Sequence, residues 1–320
     1  MHAMMAAETG DDVYGEDPTV NALEALAAEM TGKAGGLLVS SGTQSNLLAL
    51  LAHCERGDEY IAGQEAHTYR YEAGGGAVLG SIQPQPLPFN ARGEIDLKQA
   101  AAAIKPDDFH FARTRLICLE NTQAGKVLSL DYLQAFADFA AEHQLRTHLD
   151  GARVFNAAVK LDVPVEEICR HFDSVSICLS KGLAAPVGSL LVGDAETISQ
   201  ARRWRKMLGG GMRQAGILAA AGIHALHHHV ERLADDHRRA AELADALSQM
   251  ARLGISEMPE TNMVMLRATP ADFVLLRQFM TARGITLSSP RLVLHRDVDD
   301  ADLAAVIDAF RAFDQGAADG

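Results

Sequence analysis

The sequence predicts an α/β fold: a mainly parallel central sheet with helices on both faces, followed by a small C-terminal α+β domain. Three observations lead there. Short strand-like runs recur at 36–39, 115–119, 146–149, 174–179 and 189–192. Helical patterns lie between them at 130–143 and 165–171, the alternation expected of a parallel sheet with crossover helices. A chain of 320 residues is long enough for one large core and a second, smaller one.

Taken in order, Asp17-Pro18 reads as an N-cap followed by proline at the first helical position. Val20, Leu23, Leu26, Ala27 and Met30 then recur at helical spacing, which predicts an amphipathic helix over 18–31. The run 36–39 ends in Ser40-Ser41-Gly42-Thr43-Gln44-Ser45-Asn46, and a second helix follows through Leu51. Strand, glycine turn and helix in that order present backbone N–H groups to a phosphate. Serine and threonine also favour plain helix caps, so this turn alone does not decide between the two.

From Glu196 to Met250 the pattern is helical, broken at Gly209-Gly210-Gly211. The alanine-rich stretch 215–250 reads as a bridge between domains, which places a large domain at 1–250 and a small one at 251–320. Within the small domain the pattern predicts a strand at 262–266, a helix at 270–283, short strands near 285–287 and 292–295, and a helix at 300–313.

Composition excludes several classes. A net charge of −13 is unsuited to nucleic acid or to an anionic membrane surface. The longest apolar stretch, 215–226, is interrupted by His224 and falls short of the roughly 20 residues a membrane span needs. The acidic N-terminus does not read as a signal peptide. Cys54, Cys118, Cys169 and Cys178 are scattered in apolar contexts, which suggests buried thiols and a cytoplasmic protein. No metal is expected: Cys/His ligand spacing is absent, and His227-His228-His229 would point in different directions on a helix.

The chemistry centres on Ser180-Lys181-Gly182, directly after an apolar strand. A lysine after a strand is usually a solvated loop residue, but the carboxyl ends of strands are also where α/β sheets bind ligands. His148-Leu-Asp150-Gly-Ala-Arg153 delivers a carboxylate and a guanidinium from another strand end. A lysine for a Schiff base and an aspartate for a pyridine nitrogen are what pyridoxal 5'-phosphate (PLP) requires. His67 is the ring most suited to lie on the cofactor, although a lone histidine is more often structural.

Seven segments, in order along nearly the whole chain, carry a resemblance: Gly10-Asp-Asp-Val-Tyr14-Gly-Glu-Asp17-Pro, Ser41-Gly-Thr-Gln-Ser-Asn46, His67-Thr-Tyr-Arg-Tyr-Glu-Ala-Gly74, Leu119-Glu-Asn121-Thr122, His148-Leu-Asp-Gly-Ala-Arg153, Ser180-Lys-Gly-Leu, and the run from Trp204 through Lys206 to Arg213. Together they resemble the low-specificity L-threonine aldolases, members of the fold-type-I PLP enzymes. The resemblance implies retro-aldol cleavage of L-threonine or L-allo-threonine to glycine and acetaldehyde. A phenylserine-type aldolase, a related β-eliminating lyase and a weakly active PLP-binding protein are the alternatives.

By that resemblance Lys181 would carry PLP, Asp150 would pair with its ring nitrogen, and His67 would stack on the ring. Gly42 and Thr43 would bind the phosphate, and Arg153 the cofactor's polar edge. Lys206 and Arg213 would reach the phosphate region from a neighbouring subunit. Arg291 would hold the substrate carboxylate, and Tyr14 would come from the partner chain of a homodimer that assembles into a homotetramer.

Two departures stand out. Where the family has histidine after Glu-Asn-Thr, this chain has Gln123, which cannot titrate near neutral pH. The family also opens with a segment reading roughly Leu-Arg-Ser-Asp-Thr-Val-Thr, whereas this sequence begins at Met1-His-Ala-Met-Met5. Both predict altered substrate handling.

Overall fold

A computed structural model of the chain describes residues 1–316. They form two compact units, one comprising Met1–Gln123 with Val127–Val230, the other Ala124–Lys126 with the chain from Glu231 onward.

The first unit is built on a seven-stranded sheet: β1 (Gly35–Val39), β2 (Asp58–Gly63), β3 (Gln83–Leu87), β4 (Arg113–Glu120), β5 (Arg146–Asp150), β6 (Ser174–Cys178) and β7 (Ser189–Gly193). Their spatial order is β1-β7-β6-β5-β4-β2-β3. Strand β7 runs antiparallel to both neighbours, and the other pairs are parallel. The predicted α/β architecture is therefore present, with two strands the pattern did not reveal.

Both hidden strands break the usual composition. Strand β2 opens with buried Asp58 and Glu59. These are tolerable inside because Arg113 reaches Asp58 at 3.0 Å, while Lys105 and Thr114 reach Glu59 at 3.3 and 2.9 Å. Strand β3 reads Gln-Pro-Gln-Pro-Leu, and its prolines are admissible because it lies at the sheet edge.

At the opposite edge, β1 is bordered by side chains. The Leu38 N–H donates to Glu24 at 2.8 Å, and the Leu38 carbonyl accepts from Arg205 at 2.7 Å. Glu24 lies in the Pro18–Thr31 helix, whose bounds match expectation. Buried Asp17 caps that helix, accepting from Thr19 and Val20, and its second oxygen also takes the N–H groups of Gly10 and Gly216. On one face of the sheet, Leu37, Val39 and Leu191 pack with Leu48 and Ala201, the last two from the Gly42–His53 and Ala195–Met207 helices.

The second unit carries a three-stranded antiparallel sheet, β8 (Gly254–Ile255), β9 (Met263–Arg267) and β10 (Arg291–Val293), in the order β10-β9-β8. Residues 285–287, expected as a strand, are not one. The stretch 215–250 carries two helices, Gly216–His228 and Leu233–Ser248. Leu243 and Leu247 of the latter join Val264, Leu276 and Phe310 in the small core. That helix accordingly sits in the smaller unit, ahead of the expected boundary at 250/251.

The four cysteines are buried and unbonded to one another. Among the described residues no helix is long and apolar enough to cross a membrane.

Candidate active site

Parallel pairing sets the floor of the site. Glu120, Asp150 and Ser176 occupy one register row across β4, β5 and β6, and Cys118, His148 and Ser174 occupy the row two residues earlier. Because side chains alternate along a strand, both rows face the same side of the sheet. An antiparallel or shifted pairing would scatter these groups. Here it assembles them at and just below the carboxyl ends of three strands.

Asp150 is buried and doubly held: Oδ2 accepts from Asn46 at 2.9 Å, and Oδ1 accepts from the Ala152 N–H at 3.1 Å. Asn46, one turn into the Gly42–His53 helix, also donates to Glu72 at 2.8 Å. Glu72 in turn bonds His67 Nδ1 at 2.8 Å, and the backbone N–H of His67 donates to Glu120 at 2.9 Å. His67, Glu72 and Asp150 each bring a polar atom within 4.8 Å of the others.

The electrostatics follow. The Glu72 hydrogen bond raises the pKa of His67 above its ordinary value, against an opposing effect of burial. Burial pushes Glu72 up as well, with His67 and Asn46 pulling it back. Glu120 keeps some accessible surface, yet protein encloses its carboxyl closely enough that burial, then the charge of Asp150, raises it to about 7. Lys181, half-buried in the loop after β6, opposes protonation at both His67 and Glu120. The lysine, aspartate and histidine singled out from the sequence thus share one electrostatic neighbourhood.

The Gly42-Thr43 turn opens the long helix, where Ser41 accepts from the Gln44 N–H at 3.2 Å. A Cβ placed on Gly42 would meet nothing nearer than Ser189 Oγ at 3.8 Å, and that buried hydroxyl has no protein partner. A Cβ on Gly210 would instead strike Gln44 at 2.2 Å, so the triple-glycine turn after Lys206 passes directly against this helix start. Lys206 itself is exposed.

Arg153, half-buried, precedes the Val154–Leu161 helix just beyond Asp150. Gln123 is half-buried against Gly93, where a Cβ would meet its Oε1 at 3.2 Å. Arg213 pairs with Asp11 and lies 6.0 Å over the ring of Tyr14, which is 71% exposed. Arg291 is exposed on β10, beside a cavity of about 380 Å³ lined by Leu292, Leu294, His295 and Phe310 of the smaller unit.

An amine on a strand-end loop, a buried carboxylate, and an open helix start with a spare serine hydroxyl fit the three ends of PLP: carbonyl, ring nitrogen and phosphate. Asn46, Glu72 and Glu120 were present in the motifs, but nothing in the sequence assigned them a role. Arg205 likewise carries no local signal, although it is buried and bonds Asp12 at 2.8 Å.

The family model described as beta-eliminating lyase matches residues 1–270. The low-specificity L-threonine aldolase of Escherichia coli K12 is 54% identical over 317 residues, covering 98% of this chain and 94% of that protein. The chain belongs to the beta-eliminating lyases, among their low-specificity L-threonine aldolases. The lyase also shares its fold with the threonine aldolase of Leishmania major, with a TM-score of 0.81 at 20% identity, covering 97% of this chain and 93% of that one. A serine palmitoyltransferase of S. paucimobilis solved with bound PLP-myriocin has a TM-score of 0.75 at 17% identity, covering 100% and 82%. The fold is therefore that of the fold-type-I enzymes.

Proposed function

We propose that this lyase uses PLP to cleave L-threonine and L-allo-threonine between Cα and Cβ, releasing glycine and acetaldehyde. The observation that carries the reading is Asp150, a buried carboxylate at the end of β5 whose neighbours His67 and Glu120 both feel the charge of Lys181. The E. coli relative, at 54% identity, supports the substrate class. Bound PLP supplies an electron sink for the pair left on Cα when the bond breaks.

The chain's own groups do the rest. Lys181 attaches the cofactor, and Asp150 keeps a proton on its ring nitrogen. Gly42 and Thr43 take the phosphate, joined by Lys206 and Arg213 of a neighbouring subunit. Arg153 holds the cofactor's polar edge, and the fork of Arg291 takes the substrate carboxylate. Tyr14, so widely exposed in one chain, serves the site of a partner in a homodimer or homotetramer.

His67 covers the ring. It also stands ready to accept the hydroxyl proton, its imidazole held by Glu72. Gln123 hydrogen-bonds the substrate hydroxyl without moving its proton. Buried, unbonded cysteines support a cytoplasmic setting.

Replacing Lys181→Ala tests the reading. The variant should fold, lose borohydride-trappable PLP and release no aldehyde from threonine. Covalent PLP and acetaldehyde from that variant would overturn the assignment, while ammonia and a keto acid from the parent enzyme would make it an eliminating lyase.

A further inference from the structure

A second polar chain lies behind the site in the large unit. Arg146, the first residue of β5, places Nε 3.5 Å from His53 Nδ1 at the end of the Gly42–His53 helix. His53 Nε2 lies 2.7 Å from Ser174 Oγ, which lies 2.8 Å from His148 Nδ1. His148 Nε2 then lies 3.1 Å from Asn46 Oδ1, and Asn46 donates to both Glu72 and Asp150.

The ends of this chain fix every role between them. The two carboxylates accept, so Asn46 spends both amide hydrogens on them and its oxygen must accept from His148. Burial keeps His148 at about 3 and His53 at about 4, so both are neutral above about pH 5. A neutral His148 that donates through Nε2 must accept at Nδ1 from the Ser174 hydroxyl. That hydroxyl must then accept from His53 Nε2, whose Nδ1 is left to face Arg146, a group that can only donate. One assignment satisfies all the links.

We infer that His148, backed by Ser174 and His53, is a positioning residue that locks the Asn46 amide with both N–H groups toward Glu72 and Asp150. The inference rests on the reading above only in that Asp150 serves the cofactor. With the amide turned over, Asn46 Oδ1 would sit between two carboxylates, tolerable only if one of them took up a proton. Glu72, already raised by burial, is the one poised to do so. An amide carries no proton along such a chain, so the arrangement transmits orientation and not protons. Besides Ser174 and Asn46, the groups facing His148 are His53, Asp150 and its register neighbour Cys118.

The tautomer is the first readout. In heteronuclear NMR spectra of the full chain labelled at histidine, recorded with and without added PLP, His148 should be neutral with its proton on Nε2 throughout about pH 6 to 8. A proton on Nδ1, or an imidazolium, overturns the inference. PLP affinity is the second readout. His148→Gln keeps an N–H near the Nε2 position and should bind within about threefold of the parent, whereas His148→Met removes it and should lose about tenfold or more. Equal affinities for the two variants overturn the inference, whether both are high or both low.

Should His148→Met fail to fold, Ser174→Ala takes its place. It should admit the second tautomer into the His148 spectrum, and an unchanged spectrum counts against the lock. A parent chain that takes up no PLP would sink the cofactor reading alone, because the tautomer is measured on the protein itself.

Discussion

Glu120 and Asp150 stand opposite one another in the parallel β4–β5 ladder, two acidic residues in one register pair at the edge of the site. The pairing is electrostatically unfavourable, and the structure accommodates it unequally. Asp150 receives the Asn46 amide and the Ala152 N–H, while Glu120 receives the His67 N–H and is raised to about 7 by burial and then by the charge of Asp150. The two carboxyl groups therefore divide into one held by two hydrogen bonds, Asp150, and one that titrates near neutrality, Glu120.

The raised pKa of Glu120 makes the folded state hold a proton that the unfolded chain has released by about pH 4.3. Stability from this group is complete below that pH and is lost as pH rises toward about 7. Glu120→Gln retains an acceptor for His67 and should stabilise the protein by about 1–3 kcal/mol at alkaline pH, but not under mildly acidic conditions. Urea unfolding at the two pH values reads the difference. A gain equal at both would contradict the assignment.

His148 and His53 act in the opposite direction. Their folded pKa values, about 3 and about 4, lie below the ordinary histidine value, mainly through burial. The stability they permit is full above about pH 6.5 and is lost as pH falls toward those values. His148→Gln should flatten this acid limb, retaining about 2 kcal/mol near pH 4.5 that the parent loses. Thermal melts across the acid range decide it.

Gly216 opens a helix, where alanine would ordinarily gain about 1 kcal/mol. Its Cβ would, however, lie 2.4 Å from Asp17 Oδ1 and 2.7 Å from the Glu8 carbonyl. Overlap outweighs propensity, so Gly216→Ala should destabilise the lyase by about 1–3 kcal/mol. An unchanged unfolding midpoint would show that the N-terminal segment yields freely.

Arg205→Met would leave Asp12 and the Leu38 carbonyl without their buried guanidinium partner. A loss of about 3–5 kcal/mol is expected, partly recovered when Asp12→Leu is added. A double-mutant cycle by denaturant unfolding measures the coupling.

Gln123→His restores a group that titrates near neutral pH beside Gly93. The ratio of kcat/KM for L-threonine to that for L-allo-threonine should change several-fold. Identical ratios would remove Gln123 from the hydroxyl's surroundings.

Much of the sheet was legible because β1, β4 and β7 present apolar runs and β6 alternates serine with Val175 and Ile177, while β5, whose one apolar residue is Leu149, is marked by His148 and Asp150. Strands β2 and β3 were not, since Asp58, Glu59 and two prolines suit a strand only after Arg113, Lys105 and an edge position are known. The site divides in the same way. Lys181, Asp150 and His67 stand out through residue type and strand-end placement. Asn46 gains its meaning from a carboxylate 104 residues away, and Glu120 from register, which no local pattern encodes. The Leu233–Ser248 helix carries no local sign of which core it serves, because its alanines look alike from either side, and Leu243 and Leu247 join the smaller core only through packing.

The two borders of the large sheet have a consequence for how copies of this chain can associate. Pro84 and Pro86 lie two residues apart in β3, on an intact ladder with β2, so the nitrogens they lack as donors are those turned outward. At β1 the outward N–H and carbonyl of Leu38 are already taken by Glu24 and Arg205. Neither margin offers the free row of backbone groups that a foreign strand would need to dock. The sheet is finished at both ends, which disfavours runaway strand stacking between copies.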